Sequence, residues 1–334
     1  MERARKAAAG LPLRQRVGLV LVSSFDGSRL PEYMRRRLRA GETAGAILFR
    51  TNVPSAPVLR RLTRDIQRSD RRTALVSTDQ EGGSIRNVPF AGPVPAQPAQ
   101  GSPGRVRSTT FAAARQLRGL GVNVNLAPVA DVAASGTAMA GRAFAGPPPA
   151  VAARTRAAVA GYLRGRVAPT VKHFPGFGAA RANTDDTPVT IEAPRRSLER
   201  RDLDPFRAAI AGGAPLVMAS HALYPALDGR RIASQSPPLL RGLLRDRLGY
   251  RGVVVTDSIE AEAVLRRSSV AVAAERSLAG GSDLVLMTGS GSWKLVFPHL
   301  LRRARSSPRL RARINESAAR VLALKARLGL SRRR

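Results

Sequence analysis

Cysteine is absent from the 334-residue chain. A disulfide framework, a cysteine metal site and a thiolate nucleophile are therefore excluded. No run of about 18 apolar residues occurs either, so we expect no membrane-spanning helix. Residues 1–22 carry further arginines where a signal peptide would have an apolar core and a small-residue cleavage site. We therefore expect a cytoplasmic protein, with a secreted or cell-envelope protein as the alternative if the start is truncated.

Acidic, aromatic and lysine residues are all scarce. The chain has 23 Asp and Glu against 56 Lys and Arg, a formal net charge of +33. Such a charge is typical of nucleic-acid-binding proteins. However, only four of the basic residues are lysine, the arginines are spread over the whole sequence, and aromatic residues make up just 4%. Few base-stacking positions are available. We therefore expect no specific nucleic-acid partner, only non-specific, salt-sensitive binding to polyanions.

Short apolar segments rich in β-branched residues alternate with segments of helical periodicity. Near-continuous apolar strands are typical of a parallel sheet buried on both faces. Repeated strand–helix alternation predicts a single-domain TIM (β/α)8 barrel over residues 11–334. We expect one or two closing helices at its C-terminal end and a disordered segment over residues 1–10. The predicted strands cover residues 17–25, 44–49, 73–79, 122–132, 168–174, 215–221, 252–258 and 282–288.

Polar and titratable residues follow the ends of most predicted strands. In a (β/α)8 barrel, these ends form the face that carries the active site. Asp283 begins its strand, so we predict a capping or structural role for it. His221 fits a structural role and a functional role equally well. The candidate site residues at strand ends are Asp79, Asp131, Lys172, His173, His221 and Asp257.

Three motifs in this sequence resemble those of a known family. They are "STDQEGGSIRNV" (77–88), "KHFPGFG" (172–178) and "GVVVTDSIEAEAV" (252–264). Together they resemble glycoside hydrolase family 3, in its single-domain β-N-acetylhexosaminidase branch. The resemblance implies a retaining exo-glycosidase that removes terminal β-linked N-acetylglucosamine. It also implies oligosaccharides of the cell-wall type as substrates, hence peptidoglycan turnover. We expect no metal, no cofactor and a monomeric enzyme.

The resemblance also implies roles for individual residues. Asp257 matches the catalytic nucleophile, and its place at the end of an apolar strand agrees with that role. Asp79 matches a carboxylate that accepts hydrogen bonds from sugar hydroxyls. Glu81, with the two glycines after it, is expected to form a tight turn. The residues assigned to substrate binding are Asp79, Arg142, Lys172, His173 and, from its strand-end position, His221.

The acid/base position departs from the family pattern. Where the hexosaminidase branch has D-S-H, this chain has Asn183, Thr184 and Asp185, and Phe177 replaces a histidine of the "KHFPG" signature. Three readings stay open. Asp185 or its neighbour Asp186 acts as the acid/base with a raised pKa; or the loop supplies none and the enzyme is slow; or the barrel binds sugar without cleaving it. We favour Asp185, and because its negative charge would repel phosphate we expect transfer to water.

A second departure concerns the sugar pocket. The family has an arginine about eight residues after the aspartate that matches Asp79, and this chain has Asn87 there, with Arg86 adjacent. We expect this departure to alter the sugar contact at the position, and with it the preference for an N-acetyl group. A β-glucosidase-like activity of family 3 is therefore an alternative to the hexosaminidase activity.

Overall fold

The computed structural model describes residues 1–70 and 73–330. Eight parallel strands form a closed barrel in which each strand pairs with its neighbours in chain order and the first pairs with the last. The predicted (β/α)8 barrel is therefore confirmed. The barrel strands are β1 (Leu21–Ser23), β2 (Gly45–Ile47), β3 (Leu75–Thr78), β4 (Val124–Asn125), β5 (Ala168–Phe174), β6 (Leu216–Ala219), β7 (Val253–Ser258) and β8 (Leu284–Met287).

Helices alternate with the strands and cover the barrel. They are α1 (Glu2–Ala9), α2 (Leu13–Leu19), α3 (Glu32–Ala40), α4 (Ala56–Ser69), α5 (Pro103–Gly119), α6 (Pro148–Arg164), α7 (Asp204–Ala211), the π-helical α8 (Pro238–Arg247), α9 (Val270–Gly280), α10 (Ser292–Ser306) and α11 (Pro308–Arg327). Shorter helical turns are Arg50–Asn52, Gln97–Ala99, Arg195–Ser197, Leu198–Asp202, Ala233–Gln235 and Glu262–Leu265. No helix within the described residues is long and apolar enough to cross a membrane.

Helix α4 illustrates how the sequence produces these elements. Leu59, Leu62 and Ile66 recur at helical spacing and are fully or almost fully buried. Pro57 lies in the first turn, where its missing N–H would have no partner within the helix. The face formed by these three residues packs in the layer between helices and barrel, and the arginines lie on the outside.

The strands divide their side chains between two apolar layers. Alternate residues such as Leu216 and Met218 join a cluster that includes residues of the other strands. Val217, between them, joins a different cluster with the surrounding helices. This alternation follows from the two-residue period of a strand. Because both faces of each strand are buried in an apolar layer, the strand sequences are continuous runs of apolar residues.

The N-terminal segment corrects one expectation. Residues 1–10 are not disordered, because Glu2–Ala9 forms helix α1. Ala8 is buried, and Ala4 packs against the same apolar cluster, which also contains Leu324 of α11. Alanines at helical spacing combine high helix propensity with a surface that the C-terminal helix covers. The predicted closing helix is confirmed as α11, a single helix of 20 residues.

Asp283 has the structural role that its strand-start position predicts. Its buried carboxylate accepts hydrogen bonds from Arg245 at 2.5 Å, Arg313 at 2.8 Å, Ser317 at 3.1 Å and the backbone amide of Val254 at 3.0 Å. Burial alone would raise the pKa of Asp283, but these arginines outweigh it and hold the pKa below its usual range. The residue ties α8 and α11 to two adjacent strands.

Candidate active site

A cavity of about 540 Å³ opens at the carboxyl ends of the strands. Its walls come from β3, β5 and β7 and from the loops that follow them. The position agrees with the rule that the active sites of (β/α)8 barrels lie on this face. Of the residues assigned to the site from sequence, those that line the cavity are Asp79, Arg142, Lys172, His173, Asp185 and Asp257.

Asp257 lies near the end of β7, where the strand enters the cavity. Its side chain keeps 22% of its surface exposed, and one carboxylate oxygen lies 3.9 Å from Nε2 of His173. The backbone amide of Ser258 donates to the other oxygen at 2.8 Å. Burial alone would raise the pKa of Asp257, but the charges of His173, His221 and Lys172 outweigh it and lower the pKa. An ionised, partly open carboxylate is therefore available to a ligand.

Glu81 organises the opposite side of the cavity. Its buried carboxylate accepts two hydrogen bonds from Arg142, at 2.7 and 3.0 Å, and lies 2.7 Å from Nζ of Lys172. Lys172 also donates to Asp79 at 2.7 Å. Burial would raise the pKa of Glu81, yet Lys172 and Arg142 hold it at about 2. Burial would lower the pKa of Lys172, but Asp79 and Glu81 raise it. These ion pairs hold the four side chains in place, and they keep Glu81 and Lys172 ionised.

The sequence did not reveal this role of Glu81, which was assigned to a turn. The turn itself is confirmed, because Gly82 and Gly83 have φ angles of 108° and 60°. A Cβ at Gly82 would lie 2.2 Å from the carbonyl oxygen of Pro95. The available signal was the position of Glu81, between a strand-end aspartate and two glycines that bend its backbone into the cavity wall.

Replacing Glu81 with glutamine should destabilise the fold. The change leaves the buried Lys172 and the partly buried Arg142 without their shared counter-charge, which costs about 3 kcal/mol in the free energy of unfolding. Urea denaturation of wild type and variant measures the difference. Glu42→Gln is the matched control, because Arg14, the partner of Glu42, is 53% exposed and such a pair contributes less than about 1 kcal/mol. Equal losses in both variants would contradict the role of Glu81.

The stability difference between wild type and Glu81→Gln should also depend on pH. The pKa of Glu81 is depressed to about 2 in the folded protein, against about 4.3 in an unfolded chain. A depressed pKa adds stability that is fully present above pH 4.3 or so and is lost as the pH falls toward the folded-state value. The stability difference between wild type and Glu81→Gln should therefore shrink below about pH 4. A difference that grew on acidification would rule out the ion pairs as its source.

Asp131 sets the orientation of His173. One carboxylate oxygen lies 2.7 Å from Nδ1 of His173, and the other accepts the backbone amides of His173 and Phe177 at 3.1 and 2.7 Å. An ionised carboxylate only accepts, so Nδ1 carries a proton and Nε2 faces Asp257. Phe177 packs edge-on against the imidazole, with ring centroids 5.8 Å apart. It is buried, and so supports the ring instead of contacting the cavity.

The loop at 183–186 carries the candidate acid/base. The Asn183 side chain donates to the Asp185 carboxylate at 3.0 Å and accepts from its backbone amide at 3.3 Å. Backbone carbonyls of Thr184 and Asp185 accept from the segment just after Asp257, each at 3.1 Å. Asp185 is exposed at the surface, but the protein around its carboxyl group excludes part of the water; this desolvation, and then the charge of Asp257, raise the pKa of Asp185. Asp186 is exposed and lies outside the cavity lining.

The structure does not place His221, which the sequence assigns to substrate binding, in the cavity lining. Its side chain is fully buried and does not line the cavity. Nδ1 lies 2.7 Å from the hydroxyl of Ser234, and Nε2 lies 2.9 Å from the carbonyl oxygen of Ser258. Both ring nitrogens are thus engaged within the protein, and burial lowers the pKa of the imidazole. His221 holds the backbone beside Asp257.

Two further side chains line the cavity, Glu260, to which the sequence assigns no role, and Asn87, for which it indicates only a departure from the family pattern. Glu260 accepts hydrogen bonds from the amide and hydroxyl of Thr288, at 2.9 and 3.1 Å, through one oxygen, while its other oxygen is buried without a partner. Asn87 donates to the Asp79 carbonyl at 3.1 Å and accepts the Arg50 amide at 3.2 Å. Asn87 therefore joins two loops at the position where the family pattern has an arginine. Both residues lie within the quoted motifs, Asn87 in 77–88 and Glu260 in 252–264, but the motifs alone give no contact for either side chain.

A closed (β/α)8 barrel with carboxylates gathered at the carboxyl ends of its strands is an architecture of glycoside hydrolases. The chain belongs to glycosyl hydrolase family 3, because the family model described as "Glycosyl hydrolase family 3 N terminal domain" matches residues 13–324. It is therefore a glycoside hydrolase. Among the described residues, no group of three or more His, Asp or Glu side chains could hold a metal ion.

Proteins similar to this chain include a beta-hexosaminidase of Xanthomonas oryzae pv. oryzae. The two are 32% identical over 278 residues, which cover 80% of this chain and 83% of that protein. A solved glycoside hydrolase family 3 beta-N-acetylglucosaminidase from Paenibacillus sp. str. FPU-7 superposes with a TM-score of 0.91 at 32% identity, over 96% of this chain. The chain spans 63% of the length of that protein. A beta-N-acetylhexosaminidase from Beutenbergia cavernae gives a TM-score of 0.85 at 29% identity, over 95% of this chain and 99% of that one.

Proposed function

We propose that this protein is a retaining exo-β-N-acetylhexosaminidase that hydrolyses terminal β-linked N-acetylglucosamine residues. The observation that carries the proposal is the single cavity into which Asp79, Lys172, His173, Asp185 and Asp257 all open. The similar hexosaminidases support the choice of sugar. Oligosaccharides of the cell-wall type, and a place in peptidoglycan turnover, follow as proposals from the same similarity.

In the proposed complex, the terminal sugar lies between the two charged sides of the cavity. Asp79 accepts hydrogen bonds from sugar hydroxyls, and Lys172 and Arg142 donate to them. Glu81 does not contact the sugar; it holds both donors by its buried ion pairs. Because these donors are fixed before the ligand arrives, little conformational entropy is lost on binding.

The chemistry requires two carboxyl groups. The Asp257 carboxylate attacks the anomeric carbon while Asp185, in its protonated form, gives its proton to the oxygen of the departing group. This forms a glycosyl ester on Asp257 and releases the aglycone alcohol. Asp185 then takes a proton from a water molecule, whose oxygen attacks the anomeric carbon and frees Asp257. The lowered pKa of Asp257 and the raised pKa of Asp185 fit these opposite roles.

A second candidate is a sugar-binding barrel with weakened catalysis. The observation in its favour is that Asp185 lies exposed in a polar loop, with its carboxylate bonded to Asn183. Such an acid is less shielded from water than a buried one. Under this candidate, sugar binding persists and only substrates with good leaving groups react.

A panel of aryl β-glycosides tests the proposal. We expect the kcat/KM for the N-acetylglucosaminide to exceed that for the matching glucoside by about 10²-fold or more, since a site that hydrogen-bonds a group rejects analogues without it. Phosphate should not accelerate turnover. Preference for the glucoside would support the β-glucosidase-like alternative. Binding of N-acetylglucosamine without cleavage of any aryl glycoside would support the sugar-binding barrel.

A further inference from the structure

A second cavity, larger than the one at the strand ends, lies outside the barrel wall. It measures about 950 Å³, against about 540 Å³ for the candidate active site, and the two share no lining residue. Its walls come from the hairpin strand Asp228–Ile232 and from helices α8, α9 and α11. We call it the basic groove, because seven of its lining residues are arginine: Arg230, Arg231, Arg241, Arg267, Arg276, Arg309 and Arg313.

The positive charge of the basic groove is not neutralised by its own acids. Its two acidic residues are Glu275 and Glu316. Glu275 pairs with His299 and Arg303, which lie outside the groove lining. Glu316 pairs with Arg313 and with Arg320. The remaining positive charge acts on Arg241. Burial is the largest cause that lowers the pKa of Arg241, and the positive charge of neighbouring Arg313 lowers it further.

The free arginines are the ones that a ligand would meet. Four arginines of the groove are exposed and form no ion pair with any described residue: Arg230, Arg267, Arg276 and Arg309. Each guanidinium presents a planar set of donors that matches the oxygens of a phosphate or carboxylate group. Four such groups around one cavity can hold an anion with several charges at once.

An uncharged side chain in the groove also lacks a partner. Gln235 lines the groove with only 6% of its surface exposed. Its amide nitrogen is buried and has no hydrogen-bond partner. A buried donor left unpaired costs about 1–3 kcal/mol, so a rotation of the Gln235 side chain that brings this nitrogen to a ligand oxygen in the groove would recover part of that energy. This feature distinguishes the groove from an ordinary basic surface.

We propose that the basic groove is a binding site for a linear polyanion with closely spaced phosphate groups, separate from the sugar cavity. Several phosphates can engage the separate arginines together, while one oxygen accepts from the Gln235 amide. A nucleic acid fits less well, because no residue lining the groove is aromatic and bases would have no stacking surface.

Inorganic tripolyphosphate is the probe, and titration calorimetry at fixed ionic strength is the measurement. We expect one site per chain. The triple variant Arg230→Gln, Arg276→Gln, Arg309→Gln should bind about tenfold more weakly or worse, since each lost phosphate contact removes a counter-ion-release contribution. Its hydrolytic activity should match that of the wild type, because none of the three lines the sugar cavity.

The matched control removes the same charge elsewhere. Arg60, Arg61 and Arg64 are exposed on α4 and form no ion pair with any described residue. Changing all three to glutamine lowers the net charge equally, and should weaken tripolyphosphate binding by less than about threefold through long-range effects alone. Equal losses in the two triple variants would show only diffuse attraction to a basic protein, and would overturn the proposal.

Gln235→Met tests the groove without any change of charge. Methionine keeps the volume of the side chain and removes the unpaired amide. We expect binding to weaken about threefold or more, with a melting temperature equal to or above that of the wild type. Unchanged affinity in this variant would overturn the proposal, as would tighter binding of a short single-stranded oligonucleotide than of tripolyphosphate at the same phosphate concentration.

Discussion

Asp257→Ala is expected to lower kcat for an aryl β-N-acetylglucosaminide roughly 10⁴-fold or more, as removal of a covalent nucleophile does in other enzymes. Water cannot form the glycosyl ester that the Asp257 carboxylate forms, so the variant loses the two-step route through the covalent intermediate. The KM should change much less, since Asp79, Lys172 and Arg142 still hold the sugar. Initial rates with a nitrophenyl substrate measure the effect.

The covalent intermediate gives this prediction a second readout. Wild-type protein quenched during turnover should show a mass increase equal to one sugar residue, and Asp257→Ala should show none. Asp186→Ala is the control, because Asp186 is exposed and lies outside the cavity lining. Its rate should equal that of the wild type. Undiminished turnover by Asp257→Ala would remove the basis for the proposed mechanism.

The barrel was predictable because its signal is repeated. Each strand is an apolar run such as "GVVVTDS", and each is followed by a helical segment, so an error in one unit does not alter the pattern of eight strands. Helix α1 was not predictable in the same way. Its only apolar residues are alanines, and their burial depends on contact with α11, more than 300 positions away in the sequence. Only the closed fold brings those two helices together.

The sequence predicts which positions of the chain contribute to the site better than it predicts the contacts that their side chains make. Strand ends and family motifs located Asp79, Lys172, His173 and Asp257, which all line one cavity. Neither signal reports the direction of a side chain. His221 ends a strand as His173 nearly does, yet its ring turns into the protein and bonds to Ser234 and Ser258.

The difference between sequence and structure at Glu81 is the opposite of the one at His221. The sequence assigns Glu81 to a turn, and the structure gives it a central place in the ion pairs of the site. The neighbouring Gly82 and Gly83 strongly predict a turn, and the local sequence therefore assigns Glu81 to that turn. Its partners Lys172 and Arg142 are 91 and 61 positions away in the sequence, so no local pattern could disclose them. A buried ion network is a property of the assembled barrel face.

The Asp185→Asn variant tests whether this carboxyl group replaces the usual histidine. If Asp185 protonates the leaving group, its loss should lower kcat about 10²–10⁴-fold for substrates with poor leaving groups. A dinitrophenyl glycoside needs no protonation and should form the glycosyl ester nearly as fast as with the wild type. Azide attacks that ester without base assistance, so it should restore turnover and yield a glycosyl azide of retained configuration.

The pH profile tests the same assignment. An acid must be protonated to act, and a raised pKa extends the protonated form to higher pH. Wild-type kcat/KM should therefore fall on the alkaline side as Asp185 loses its proton. In Asp185→Asn this alkaline fall should disappear, while the acidic fall, which reports protonation of Asp257, should remain. An unchanged alkaline limb would assign the proton transfer to another group.

Glu260 is the group most able to take that role, and Glu260→Gln therefore belongs in the same experiment. It lines the same cavity and has one buried oxygen without a partner. If Asp185 is the acid/base, Glu260→Gln should retain its alkaline limb and gain nothing from azide. Azide rescue of Glu260→Gln, with none in Asp185→Asn, would move the assignment to Glu260. Only one of the two carboxyl groups can show leaving-group dependence, azide rescue and loss of the alkaline limb together, because all three follow from transfer of the same proton.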